Sequence, residues 1–162
     1  MSSIQRAISE LRTLLESATV SIQTVQKHGS DSDEGQAAQL SEDNSKLISA
    51  PPNGEWNQKF TIELIPDTFK LKISIVLEDG TTVYVTSKDA SAGDYLLVSG
   101  EPTIYGVGAN ESGLTISTEG KDGVELYWTW ITGFPGPQIV LQTWEDFKKS
   151  NQAWKFVKDT TD

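Results

Sequence analysis

"FKLKISIVLEDGTTVYV" occupies residues 69–85, and its reading decides the fold. Phe69, Leu71, Ile73, Ile75 and Leu77 alternate with Lys70, Lys72, Ser74, Val76 and Glu78. A period of two sends successive side chains to opposite faces, as in a strand with one buried side. Asp79-Gly80 follows. It is a signal for a two-residue type I′ hairpin, because these residues tolerate the positive φ angles that turn needs. With that turn, Ile75 faces Tyr84 and Val76 faces Val83.

The same alternation continues on both sides. Upstream, "KFTIEL" places Phe60, Ile62 and Leu64 inward. Downstream come "DYLLVSG", "TIYGVG", "GLTIST", "VELYWTWI", "QIVLQTW" and "AWKFV". Turn residues separate most of them: Ala92-Gly93, Gly100-Glu101-Pro102, and the stretches 110–113, 120–123 and 133–137. These runs predict eight or nine short strands from Trp56 onward, with no segment long and apolar enough for a crossover helix. The expected fold is mainly β, an antiparallel β-sandwich or small β-barrel. No internal repeat stands out, which disfavours a trefoil or propeller. One helical turn after Thr143 is also expected, in "TWEDFKKSNQAW".

The chain before this region reads differently. Ile4, Ile8, Leu11, Leu15, Ala18, Ile22 and Val25 form a seam with alternating spacings of four and three. That heptad pattern predicts an amphipathic α-helix over residues 1–28. An isolated helix of this length is marginal in water, so its seam must pack on something. The candidates are its own β domain, a second copy in a homo-oligomer, or a membrane interface. The last is not favoured, since the helix has few cations and no aromatic residue. Residues 29–54 are polar and acidic and read as a flexible linker, leaving 55–162 as the antiparallel β domain.

Composition removes several chemistries. There is no cysteine, so disulfides, thiolate nucleophiles and cysteine zinc sites are excluded. His28 is the single histidine and lies outside the expected β domain, which leaves no imidazole there for a Ser-His-Asp triad or a multi-histidine metal site. No metal or cofactor is expected, and catalysis is disfavoured unless it rests on carboxylates or shape. Net charge is −10, which argues against nucleic-acid partners because phosphate backbones are repelled. No run approaches the roughly 20 apolar residues of a membrane span. The N-terminus lacks a basic segment followed by an apolar one, so a cytoplasmic location is expected, with non-classical release left open.

Aromatic residues cluster in "ELYWTWITGFPGP", residues 125–137. In a strand, Val124, Leu126, Trp128 and Trp130 share one wholly apolar face, and Glu125, Tyr127, Thr129 and Ile131 share the other. The first face suits the core and the second suits contact with a ligand. Phe134 tips a loop stiffened by Pro135 and Pro137, while Trp144 and Trp154 lie near strand ends. Such residues either close a core rim or stack on sugar rings. The candidate ligand-binding residues are therefore Tyr127, Trp128, Trp130, Phe134, Trp144 and Trp154.

The favoured reading is a non-enzymatic, lectin-like domain that binds carbohydrate through exposed aromatics and is assembled or steadied by the helix. One alternative is a barrel enclosing an apolar small molecule, as carrier or cyclase-type enzyme, with Trp128 and Trp130 lining the cavity and the helix capping its mouth. Another is a pore-forming or membrane-acting protein with an insertable helix.

Overall fold

The computed structural model describes residues 9, 19–25, 36–110, 112–131, 138–144 and 151–158. They form twelve strands: β1 (Val20–Thr24), β2 (Ala37–Leu40), β3 (Leu47–Ala50), β4 (Thr61–Leu64), β5 (Lys70–Val76), β6 (Thr82–Thr86), β7 (Leu97–Ser99), β8 (Tyr105–Ala109), β9 (Leu114–Glu119), β10 (Glu125–Ile131), β11 (Gln138–Gln142) and β12 (Trp154–Lys158). A 3-10 turn, Trp56–Gln58, precedes β4, and Asn151 and Gln152 before β12 are also in 3-10 conformation.

The pairing repeats three times. In each set of four strands the first pairs with the second, the second with the third, and the first with the fourth. These contacts are β1–β2, β2–β3 and the Val20↔Phe60 bridge at the foot of β4. They recur as β5–β6, β6–β7 and β5–β8, and again as β9–β10, β10–β11 and β9–β12. Antiparallel ladders β4–β5, β8–β9 and β12–β1 join one unit to the next. The three inner hairpins also meet, through the bridges Lys46↔Leu97 and Tyr95↔Val140 and through contact of β11 with β3. This is a trefoil layout.

Aligning the bridges reveals a repeat of side-chain character. Val20, Leu71 and Leu114 are equivalent, as are Ile22, Ile73 and Ile116, all three of which are sealed from solvent. Phe60, Tyr105 and Trp154 open the fourth strands and are equally buried. Ile62, Val107 and Phe156 follow two residues later, also in the core. The position shared by Ala38, Val85 and Trp128 is filled by very different volumes, yet all three are sealed. Trp128 meets Tyr105 and Trp154 edge to face, with ring centroids 5.6 and 6.0 Å apart. Such contacts add to the burial of apolar area.

Polar clamps repeat as well. Gln58 Nε2 donates to Gln39 Oε1 and to the Pro51 carbonyl at 2.9 and 3.0 Å. Gln152 Nε2 donates to Thr129 Oγ1 and to the Thr143 carbonyl at 3.1 and 2.9 Å. Thr103 plays the part in the second unit, where its Oγ1 accepts the Ser87 N–H at 2.8 Å and touches Thr86 Oγ1 at 3.1 Å. Each clamp ties the segment before the fourth strand to the second strand of its own unit.

Several expectations are corrected. The mainly-β antiparallel character holds, but the strands form one sheet rather than a sandwich. Nor is it a closed barrel: the ladder stops between β1 and β4, where one bridge stands alone. No helix of seven or more residues occurs among the described residues, so the N-terminal helix is not supported. Its expected C-terminal part is β1, where alternating Val20, Ile22 and Thr24 are buried. The rest of the seam, Ile4, Ile8, Leu11, Leu15 and Ala18, lies outside the described residues. Ile22 faces the core, which withdraws it from an oligomer seam, and Val25 follows the strand. The expected linker contains β2 and β3, with Ala37, Ala38, Leu40 and Leu47 buried.

The hairpin register is also shifted by one residue. Ile75 faces Val83 and Ser74 faces Tyr84. Leu77 N–H bonds to the Thr81 carbonyl at 2.8 Å, and Gly80 at φ 90° closes a three-residue loop. That loop is a turn ending in a left-handed glycine rather than a type I′ turn. The Asp79 side chain favours it by accepting the Thr81 N–H at 2.9 Å.

Tyr105 gives the core an alkaline sensitivity. Burial pushes its hydroxyl well above the ordinary tyrosine value, against a smaller opposing effect of the 2.5 Å hydrogen bond with Ser87 Oγ. A raised folded-state value stabilises the protein below the unfolded value of about 10, and that contribution is lost as pH rises above it. The urea midpoint should therefore fall between pH 9 and pH 11 more steeply than in Tyr105→Phe. Equal slopes for the two proteins would remove Tyr105 as the cause.

Candidate functional site

The outer face of the third unit gathers the most ligand-like chemistry. β10 runs between β9 and β11, so Tyr127 lies opposite both Ser117 and Gln142. Glu125 sits two residues earlier on the same face, directly across from Glu119. Trp144 follows β11 and packs on Tyr127 at 5.4 Å between centroids with rings inclined by 61°. Trp144 is 39% exposed and Tyr127 is half-buried, so the pair offers an aromatic ledge to solvent.

The polar groups around this ledge are well placed to accept and donate. Glu125 Oε2 accepts the Ser117 hydroxyl at 2.6 Å, which holds the carboxylate beside the strand. Burial, and then the neighbouring Glu125 charge, raise the Tyr127 hydroxyl above its ordinary value, so it is a neutral donor at physiological pH. Gln142 adds an amide with both donor and acceptor atoms. Two facing carboxylates, an amide, a phenol and an indole face form a hydrogen-bonding rim around an apolar ledge.

The other candidates are placed elsewhere. Trp128 and Trp154 are fully buried, and Trp154 Nε1 donates to the Trp128 carbonyl at 3.0 Å. Trp130 is 8% exposed, and Asn151 Nδ2 donates to its carbonyl at 2.9 Å. These three belong to the packed interior, which takes them out of a surface site. Phe134 lies outside the described residues. Of the six, the structure brings Tyr127 and Trp144 together. Gln142, Ser117 and Glu119 were missed, since only strand register shows that they flank Tyr127. The alternation in "ELYWTWI" had already put Glu125 and Tyr127 on one face.

No family model matches the chain, and no curated protein matches it. Solved structures do. The Macrolepiota procera ricin B-like lectin in complex with lactose aligns with a TM-score of 0.61 at 19% identity, over 86% of this chain and 94% of that one. The Polyporus squamosus lectin bound to the human-type influenza-binding epitope Neu5Aca2-6Galb1-4GlcNAc also aligns at 0.61, with 16% identity over 86% of this chain. This chain spans about half, 48%, of the Polyporus lectin. At these identities the shared property is the lectin-like β fold.

Proposed function

We propose that the chain is a non-enzymatic carbohydrate-binding module, with the Tyr127–Trp144 ledge as its saccharide platform. The observation that carries this reading is the exposed edge-to-face aromatic pair ringed by Glu125, Glu119, Gln142 and Ser117. The apolar face of a sugar ring stacks on such a ledge, and its hydroxyls donate to carboxylates and exchange bonds with the amide. The fold shared with lectins in complex with lactose and a sialylated trisaccharide supports the ligand class. Trp128, Tyr105 and Trp154 fill the space where the apolar-carrier reading needs a cavity. The membrane-acting reading depends on an insertable helix over residues 1–28, of which Val20–Thr24 form strand β1 and only Ser9, Thr19 and Val25 are otherwise described.

Titration of the full chain with lactose and with neutral oligosaccharides, followed by calorimetry, tests the reading. Trp144→Ala should weaken binding by about tenfold or more, in line with the loss of one aromatic anchor. Its unfolding free energy should change by no more than about 0.5 kcal/mol, because the side chain is substantially exposed. Saccharide binding that survives Trp144→Ala unchanged would reject the platform. Absence of binding across a broad glycan panel would reject the class.

A further inference from the structure

The loop that leads into the Gln58 clamp carries the chain's one Asn-Gly pair, Asn53-Gly54. Both residues are exposed, and Gly54 takes a left-handed φ of 71°, which glycine adopts without steric cost. Asn53 Oδ1 accepts the Glu55 N–H at 2.8 Å. Among the described residues, neither Asn53 Nδ2 nor the Gly54 N–H has a hydrogen-bond partner.

These features suit an attack of the chain on itself. The Gly54 nitrogen is the nucleophile, Asn53 Cγ the electrophile and Nδ2 the leaving group. Negative charge develops on Oδ1 as the N–Cγ bond forms, and the Glu55 N–H already points at that atom. A donor placed where charge appears lowers the barrier. The other asparagines lack this combination. The Ser45 N–H, which follows Asn44, is held by Ser41 Oγ and Asp43 Oδ1 at 3.3 and 3.2 Å. The Gln58 N–H, which follows Asn57, bonds to the Glu55 carbonyl at 3.1 Å. Asn151 Nδ2 is committed to the Trp130 carbonyl, and Asn110 is followed by a glutamate rather than a glycine.

We propose that Asn53 is a site of spontaneous deamidation, and that its isoaspartyl product slackens the Gln58 clamp. Base in the solvent removes the Gly54 amide proton. The nitrogen bonds to Cγ, the Cγ–Nδ2 bond breaks, and Nδ2 leaves as ammonia with a proton regained from solvent. Water then opens the succinimide. Opening at Cγ gives aspartate, whereas opening at the main-chain carbonyl routes the backbone through Cβ and gives isoaspartate. Either product adds a negative charge, and the second also lengthens the backbone by an atom. That atom falls inside a closed ring. Gln58 Oε1 accepts the Asn53 N–H at 2.9 Å, and the Gln58 N–H bonds back to the Glu55 carbonyl. Lengthening the chain between these anchors pulls on a buried amide that also holds Gln39 and Pro51.

The test incubates the full chain in mildly alkaline buffer and follows every asparagine by peptide mass spectrometry. Enzymatic methylation of isoaspartate separates the two products. Asn53 should convert about tenfold faster than Asn44 or any other asparagine. Glu55→Pro deletes the N–H on Oδ1 while suiting the Glu55 φ of −78°, and should slow conversion severalfold. Isoaspartyl chains, isolated by chromatography, should unfold at lower urea than fresh protein. Asn53→Asp, which adds the charge without the extra atom, should not. Conversion at Asn53 no faster than at Asn44, or unslowed in Glu55→Pro, would overturn the site. Equal urea midpoints for the isoaspartyl chain and Asn53→Asp would remove its effect on the clamp.

Discussion

Trp128→Ala should destabilise the protein by about 3–5 kcal/mol, the range for removing a large buried aromatic. The indole is sealed from solvent and packs edge to face on both Tyr105 and Trp154. It also occupies the position that Ala38 and Val85 hold in the other two units. With alanine there too, Val85 alone would supply volume at that position, and a rigid sheet cannot collapse far to fill the gap. Since domains are stable by about 5–15 kcal/mol, the loss is a large share of the total. Urea unfolding followed by far-ultraviolet circular dichroism measures it, with Trp144→Ala as a near-neutral reference. The cost is partly offset because the Trp128 Nε1–H has no acceptor in hydrogen-bonding geometry among the described residues. Trp128→Phe should therefore lose clearly less. A cost under about 1 kcal/mol for the alanine variant would show that the position is not tightly packed.

Gln152→Ala should cost roughly 2–4 kcal/mol, although it removes no hydrophobic side chain. Gln152 is fully buried, and its amide satisfies both the Thr129 hydroxyl and the Thr143 carbonyl. Alanine would strand those groups and leave a void beside them. Gln58→Ala should behave alike, because Gln58 makes the matching bonds in the first unit and also accepts the Asn53 N–H at 2.9 Å. Thermal melts of the two variants, compared with Glu101→Gln, would show the effect. Melts matching those of the surface variant would mean that the clamps carry no weight. Because Thr143 adjoins Trp144, Gln152→Ala should also loosen the ledge and weaken saccharide binding beyond its effect on stability.

Much of the fold could be read directly from residue order. The nine runs picked out by their period of two correspond one for one to β4 through β12. The three strands that escaped all belong to the first unit. "VSIQT" is short, and its Ile22 satisfies a heptad as well as an alternation, so a brief amphipathic segment fits both periods. "AAQL" and "LISA" are four residues each and sit among acidic and polar neighbours that mimic a linker. The threefold repeat escaped for a related reason. It repeats the buried or polar character of a position, as in Phe60, Tyr105 and Trp154, more often than residue identity or spacing.

The candidate site was half legible. Alternation placed Glu125 and Tyr127 on one face and Trp128 and Trp130 on the other, and burial follows that division. Trp154 could not be assigned in the same way, because an aromatic at a strand end closes a core or meets solvent depending on what packs over it. Here it is sealed against Trp128.

By itself, then, the sequence determined the period of the segments from β4 to β12, the sign of the net charge and the absence of thiol chemistry. Those are local or additive properties, present in the unfolded chain. Only the tertiary structure decided which strands pair, that Val20 meets Phe60 and Gln142 meets Tyr127, and hence which tryptophans are core and which is offered to a ligand. Pairings between distant segments depend on packing the whole chain around one interior, and no local pattern encodes that choice.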